Sequence, residues 1–379
     1  MDRHVKLSRI SRAGTAVIVG ALALTLAACG SDNPTGDATG DATNDAAASP
    51  AAAISGTFAG AGSSAQANAI KAWTAAFQSD NPDVTINYDD SGSGAGREQF
   101  IAGGLAWAGS DSALKDEEIE ASQTFCGADG AINIPVYISP IAIAYNLPGV
   151  ADLNLSAENI AKIFTGAITT WDDPAIVADN PDASLPATAI TPVHRSDKSG
   201  TTNNFTDWLH ANAGDIWTDE KNDAWPLQGG DSAQGTSGVA GVLSQTEGSV
   251  GYIDESGVTP DLNIAKIKVG DTFTALTPEG AAAVVSASPL VEGRSANDVS
   301  VQIDRTATAE GDYPLLLVSY AIACQNYSDA ATGEFAQAWL SFIVSPEAQD
   351  IAAQAAGSAP LAGEIADKAA AAAASITVG

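Results

Sequence analysis

Eleven residues, Arg195-Ser196-Asp197-Lys198-Ser199-Gly200-Thr201-Thr202-Asn203-Asn204-Phe205, carry a guanidinium, several hydroxyls and a glycine in one short stretch. They follow the apolar run Ile190 to Val193 and precede an amphipathic pattern through Phe205, Trp208 and Leu209. That is the pattern of a strand, a tight turn and the first turn of a helix. A helix start offers unpaired N–H groups and the positive end of a dipole, so it suits an oxyanion. Arg195 adds a fixed fork of donors, and Ser199, Thr201 and Thr202 add hydroxyls.

Three other segments have the same chemistry. Gly60-Ala61-Gly62-Ser63-Ser64-Ala65 joins a predicted strand to a predicted helix, so Ser63, Ser64 and the Ala65 amide project from a helix start. Ser91-Gly92-Ser93-Gly94-Ala95-Gly96 repeats the arrangement, with glycines that let a backbone approach a ligand closely. Ala108-Gly109-Ser110-Asp111 ends the next strand and supplies a carboxylate. Each turn alone is a common helix cap. Four together point to a ligand.

Asp111 is the unusual member, because a carboxylate repels an anion. It has a use if the anion carries a proton. Phosphate near neutral pH keeps one or two P–OH donors, which an ionised Asp can accept. Sulfate has none and would face a buried like charge without a compensating bond, at a cost on the order of 1–3 kcal/mol or more. Asp111 would thus filter ligands by repulsion.

These turns need a scaffold. From Ile54 onward, short apolar strands alternate with helical patterns, which predicts a mostly parallel sheet with covering helices. The helix expected over Ala65 to Phe77 carries Ile70, Trp73 and Phe77 on one side. Ser156, and Ser345 followed by Pro346, read as helix starts. Two long apolar strands, Ile132 to Tyr145 and Leu315 to Ala323, read as crossings between domains. They predict a split first domain, 54–137 plus 317–379, with a second, 138–316, inserted and a ligand cleft between them.

The N-terminus reads as a targeting segment. Arg3, Lys6, Arg9 and Arg12 precede a short apolar core, and Leu26-Ala27-Ala28-Cys29 presents small residues before a cysteine. This resembles a bacterial lipoprotein signal over 1–28, with lipid added to Cys29. The apolar run is short for a membrane span. Acyl chains such as palmitate would hold the chain on the extracytoplasmic face of the cell membrane. Residues 29–53 lack large apolar side chains and read as a tether.

The net charge of the 379-residue chain is -30; residues 1–28 contribute four basic groups and one acid, so the remainder carries -33. That argues against nucleic-acid partners and requires local dipoles to capture any anion. Cys126 and Cys324 remain once Cys29 is set aside. They are either paired or two separate buried thiols, and an oxidising compartment favours the pair.

Taken together, these segments resemble the phosphate-binding lipoprotein of bacterial ABC-type phosphate importers. The resemblance runs from Ile54 to the end. It is carried by Gly60 to Ser64, Ser91 to Gly96, Gly109-Ser110-Asp111, Arg195 to Thr201, Ile163-Phe164-Thr165-Gly166-Ala167-Ile168-Thr169-Thr170-Trp171 and Gly248-Ser249-Val250-Gly251-Tyr252. It implies an α/β fold, a type II periplasmic-binding-protein clamshell of two domains hinged on two crossing strands. It implies that Ser64 and Ser93 donate to phosphate, that Asp111 accepts from it, and that Arg195, Ser199, Gly200 and Thr201 close from the second domain. Asp197 would orient Arg195. The family often has an aromatic residue where this chain has Ala65, a contact made through the backbone N–H. The implied partners are inorganic phosphate, a permease with its cytoplasmic ATPase and, through lipid, the membrane. A monomer without cofactor or metal is expected.

The competing readings are an enzyme, a surface sensor or adhesin on the same fold, and a binder of sulfate or molybdate. His194 and His210 have no readable partner constellation, and no G-x-S-x-G, G-x-x-x-x-G-K-[ST] or H-E-x-x-H motif occurs. The expectation is therefore a binding protein rather than an enzyme. Lys198 is expected at the surface, and Asp89-Asp90 and Asp172-Asp173 in solvated turns.

Overall fold

The computed structural model describes residues 54–379. The expected signal segment, the expected lipid site at Cys29 and the expected tether lie outside the described residues. Ala52–Gly379 forms one compact unit.

The chain enters through the strand Gly56–Gly62, which pairs in parallel with Val84–Asp89 on one side and Trp107–Ser110 on the other. The intervening helices are Ala67–Asp80 and Ser93–Ile101. The first buries Ala69, Ile70, Trp73 and Phe77, a set at helical spacing that faces the sheet. It begins at Ala67 rather than Ala65, because Ser64 to Gln66 forms a turn that leads into it.

The strand Ala131–Asn146 is the spine of the molecule, buried along its length except at Asn146. Its first part runs antiparallel to Leu316–Cys324, from Ala131 opposite Cys324 to Pro140 opposite Leu316. Its second part runs antiparallel to Ser249–Asp254, from Ile141 opposite Asp254 to Asn146 opposite Ser249. Two prolines survive in this buried strand for local reasons. Pro135 lies where the register slips against Ser319 and Tyr320, and Pro140 lies where one partner strand is exchanged for the other.

The second lobe continues from Ser249–Asp254 to Thr191–Arg195 and then Asp231–Ala233, both pairings parallel. The sheet is therefore mixed, not mostly parallel as the alternation suggested. Chain leaving one lobe and chain returning to it run in opposite directions, so strands that do both must pair antiparallel. The fold is a two-lobed α/β clamshell with two crossing strands as its hinge.

One large apolar cluster fills most of the molecule, with Phe58 stacked on Phe335 at 3.9 Å and Trp73, Trp107 and Trp339 fully buried. A smaller one around Ala142, Val193, Val239, Leu243 and Ile253 lies under the second lobe's sheet. Ser156 caps Ala157–Phe164, and Ser345 caps Pro346–Ala356 with Pro346 at its first position, as the sequence predicts. Cys126 and Cys324 are joined in a disulfide, with Cα atoms 5.0 Å apart. Cys126 ends a helix just before the outgoing strand, and Cys324 ends the returning strand. The bond therefore staples both ends of the excursion through the second lobe.

Candidate functional site

Each predicted turn sits where a strand ends and a helix begins. Gly62 has φ +136°, and a Cβ there would lie 1.9 Å from Gly109 O, so only glycine lets these neighbouring strand ends meet. Ser63 and Ser64 follow it directly. Ser93 opens the helix Ser93–Ile101, and Asp111 follows the strand Trp107–Ser110. In the other lobe, Arg195 ends the strand Thr191–Arg195, and Ser199 caps the helix Gly200–Ala213 by accepting from Thr202 N–H at 3.2 Å.

The two groups of turns meet. A Cβ on Gly200 would lie 2.6 Å from both Asp111 Cβ and Ser93 Oγ. The start of the Gly200 helix is thus pressed against the carboxylate of the opposite lobe, and a larger residue would hold the lobes apart. Asn204 Nδ2 donates to Asp111 O at 2.7 Å, and Gly94 N–H donates to Lys198 O at 3.0 Å. Ser64 Oγ meets Thr236 Oγ1 at 3.0 Å and accepts from Thr236 N–H at 3.0 Å. The clamshell is closed.

Asp111 is buried, and its two oxygens differ. Oδ1 accepts from Ser63 Oγ at 2.5 Å and from Ser319 Oγ. Oδ2 has only the long contact from Ser93 Oγ, 3.4 Å, among the described residues. Burial pushes the carboxyl above the usual carboxylate range; the hydroxyls of Ser319 and Ser63, the charge of Arg195 and Ser93 act against that rise. Arg195 is equally buried and holds Asp197 through two hydrogen bonds, Nε to Oδ1 at 2.7 Å and Nη2 to Oδ2 at 2.5 Å. Asp197 also accepts from Gly235 N–H at 3.1 Å. Thr201 is 1% exposed, and its Oγ1 finds no hydrogen-bond partner among the described residues. A buried hydroxyl left so is costly unless a ligand completes it.

Other predicted positions fall as follows. The Ala65 amide donates to Ser63 Oγ at 3.1 Å, which folds that turn upon itself. Lys198 is exposed and pairs with Glu98 at the rim. His194 stacks on Trp225 with ring centroids 4.8 Å apart, and its Nδ1 lies 2.9 Å from Arg195 O. That is a packing role at a strand end.

Several groups were not singled out by the sequence. Ser319 is the one serine in an otherwise apolar strand, beside Tyr320, which was a readable signal; Gln66 Nε2 donates to it at 2.5 Å. Thr236 follows a glycine at a helix start, the same grammar as the other turns. Arg305, whose Nη2 holds Asn204 Oδ1, carries no local signal.

The arrangement provides helix-start amides, hydroxyls and the Arg195 guanidinium, itself paired with Asp197, around the Asp111 carboxylate with its lightly used oxygen. It suits a small oxyanion that still carries a proton. Among the described residues no group of three or more His, Cys, Asp or Glu could hold a metal, and no helix is long and apolar enough to cross a membrane.

Residues 47–347 match the family described as a PBP superfamily domain. The phosphate-binding protein PstS 3 of Mycobacterium tuberculosis is 34% identical over 339 residues, covering 88% of this chain and 90% of that protein. Among solved structures, the phosphate-binding protein from Stenotrophomonas maltophilia superposes with a TM-score of 0.64 at 21% identity, covering 84% of this chain and 94% of that one. A periplasmic phosphate-binding protein called PfluDING, solved with phosphate, has a TM-score of 0.69 at 22% identity, covering 83% and 93%. At these identities the solved structures speak for the fold.

Proposed function

This chain belongs to the PBP superfamily, among relatives that are phosphate-binding proteins, and from that premise we propose that it captures inorganic phosphate between its lobes and delivers it to an ABC-type permease. The observation that carries the reading is the juxtaposition of the lightly used Asp111 Oδ2 with the opposing start of the Gly200–Ala213 helix, where Thr201 Oγ1 is buried without a partner among the described residues. A dihydrogen or monohydrogen phosphate satisfies both sides. Its P–OH donates to Asp111, and its P–O⁻ oxygens accept from amides, hydroxyls and Arg195. Ser64, Ser93, Ser199, Gly200 and Thr201 supply the remaining donors, joined by the Ala65 amide once the ligand draws it from Ser63 Oγ; Ser63 holds Asp111, and Asp197 orients Arg195.

Ligand favours the closed form only through contacts made in that form, and closure excludes water from them. The lobe boundary is placed at 137/138 and 316/317, supported by the exchange of strand partners between Pro140 and Ile141 and the start of the return strand at Leu316. The role is binding and delivery without turnover. A chromogenic phosphate ester incubated with the protein is expected to remain intact; sustained hydrolysis would favour the enzyme reading. The lipoprotein reading of residues 1–28 and Cys29 places the protein on the extracytoplasmic face of the membrane as a lipid-anchored monomer. Membrane fractionation of the natural chain against a Cys29→Ser variant tests the anchor, and release of the variant alone is expected.

The binding function is tested by calorimetric titration of residues 52–379 with phosphate, sulfate and arsenate. One phosphate per chain is expected, with arsenate competing and sulfate silent. Absence of heat with phosphate, or an equal response to sulfate, contradicts the reading.

A further inference from the structure

Arg97 lies on the Ser93–Ile101 helix, one turn beyond the site, and is 3% exposed. Its guanidinium is almost fully used. Nε donates to Glu118 Oε1 at 3.0 Å, Nη1 to Ser110 Oγ at 3.0 Å and Ser112 Oγ at 2.8 Å, and Nη2 to Asp223 Oδ2 at 2.5 Å. The first three partners belong to its own lobe. Asp223 belongs to the other, in the irregular segment between the helix Gly200–Ala213 and the strand Asp231–Ala233. Asp223 is 8% exposed, and its second oxygen accepts from Ser112 Oγ at 3.2 Å, again from the first lobe.

This asymmetry matters for closure. If the lobes part, Arg97 keeps Glu118, Ser110 and Ser112, while Asp223 loses every side-chain partner and meets water. The Arg97–Asp223 bond therefore exists only in the closed form. It is also wired to the site from both ends. Ser110, which Arg97 holds, adjoins Asp111 in the chain. Asp223 O accepts from the amide of Ser199 at 2.9 Å, and Ser199 caps the helix that faces Asp111. Among the described residues two other ion pairs join residues of 54–137 to residues of 138–316: Lys198 with Glu98, both side chains about 60% exposed (60% and 63%), and Arg294 with Asp116 at 3.3 Å, whose Asp116 side chain is 94% exposed, so solvent screens both. Burial opposes the Arg97 charge, but Asp223 and Glu118 more than restore it.

We propose that Arg97 and Asp223 form a closing latch, a pair of positioning residues that never touch the ligand but set its rate of release by holding the two halves of the site in register. The proposal rests on the phosphate-binding reading above. Breaking one partner of a buried, hydrogen-bonded charge pair acts mainly on dissociation. Encounter occurs with the lobes apart, where the pair does not exist.

The test compares wild type with Asp223→Asn, Arg97→Gln and the double variant by stopped-flow phosphate association and release. Asp223→Asn is the primary variant, because Arg97→Gln also strips Glu118 of its partner. Its release rate is expected to rise about tenfold or more, with the association rate within about twofold of wild type. In the double variant the second substitution is expected to add much less than it does alone. A merely structural role would lower the melting temperature and leave release unchanged. Release within about twofold of wild type in Asp223→Asn, or effects that multiply independently in the double variant, overturns the latch. If wild type binds no phosphate, the functional reading fails by itself, and X-ray scattering of the ligand-free proteins decides the latch. Asp223→Asn is then expected to be more expanded than wild type, and equal radii overturn the proposal.

Discussion

Ser63 donates its hydroxyl to Asp111 Oδ1 at 2.5 Å, joining two turns that are 48 residues apart in the chain. With Ser319 on the same oxygen, Oδ1 is well occupied, and the spare accepting capacity falls on Oδ2. The carboxylate is thereby fixed in orientation as well as in place. The proposed filter against unprotonated oxyanions would thus act through one specific atom.

Replacing Asp111 with Asn keeps an oxygen for Ser63 and Ser319 and puts an amide donor where Oδ2 stands. Asp111→Asn is expected to gain measurable sulfate binding while losing less than about tenfold in phosphate affinity, since a neutral hydrogen bond replaces a charged one. Competition titration with both anions measures this. An unchanged phosphate-to-sulfate ratio argues against the filter.

Arg195 is the guanidinium of the proposed site, and Asp197 accepts two hydrogen bonds from it. Arg195→Ala removes a charge-assisted donor and leaves the Asp197 carboxylate with only Gly235 N–H donating to it among the described residues. A loss of phosphate affinity of about tenfold or more is expected by calorimetry. Affinity within about twofold of wild type would contradict the role.

Asp254 sits where the crossing strand changes partners, opposite Ile141, and is fully buried with Oδ2 lacking a partner among the described residues. Burial pushes its carboxyl from 3.8 up to about 7, against the hydroxyls of Ser256 and Ser139. The folded state therefore holds this proton more tightly than the unfolded state. Its stabilising effect is full at pH below 3.8 and is lost as pH rises to about 7. Thermal melts of wild type and Asp254→Asn across that window are expected to converge or cross as pH rises, wild type losing ground. Parallel curves would exclude the effect.

The Cys126–Cys324 bond spans 198 residues of sequence and closes a loop containing the whole second lobe. Chain-entropy reasoning gives a stabilisation of about 5 kcal/mol for a loop of this size. A Cys126→Ser, Cys324→Ser double variant is expected to melt clearly lower than wild type. Its phosphate affinity is expected to change by less than about threefold, because the bond lies within the first lobe and away from the turns. An unchanged melting temperature would show that the bond adds nothing to the fold.

The helix caps and glycine turns were legible in the sequence because their chemistry is local. Ser345 before Pro346 and Ser199 before Gly200 each act within three residues, and the positive φ of Gly62 is likewise a property of its own turn, although its close approach to Gly109 is not. The crossing strands were legible as unusually long apolar runs, but their antiparallel pairing was not, since alternation of strands and helices says nothing of direction across lobes. Ser319 and the Arg97–Asp223 pair were missed for another reason. Their partners lie 208 and 126 residues away, so each reads locally as an isolated polar residue. The extent of closure was equally hidden, because it depends on Gly200 fitting against Asp111 and Ser93 from the far lobe.

The central claim concerns one place in the molecule, and a crystal structure of residues 52–379 grown with phosphate addresses it most directly. The account predicts a tetrahedral anion whose oxygens lie about 3 Å from Asp111 Oδ2, Thr201 Oγ1 and the amide of Gly200. Phosphate found elsewhere, or a closed cleft with no anion between Asp111 and the Gly200 helix, would contradict it.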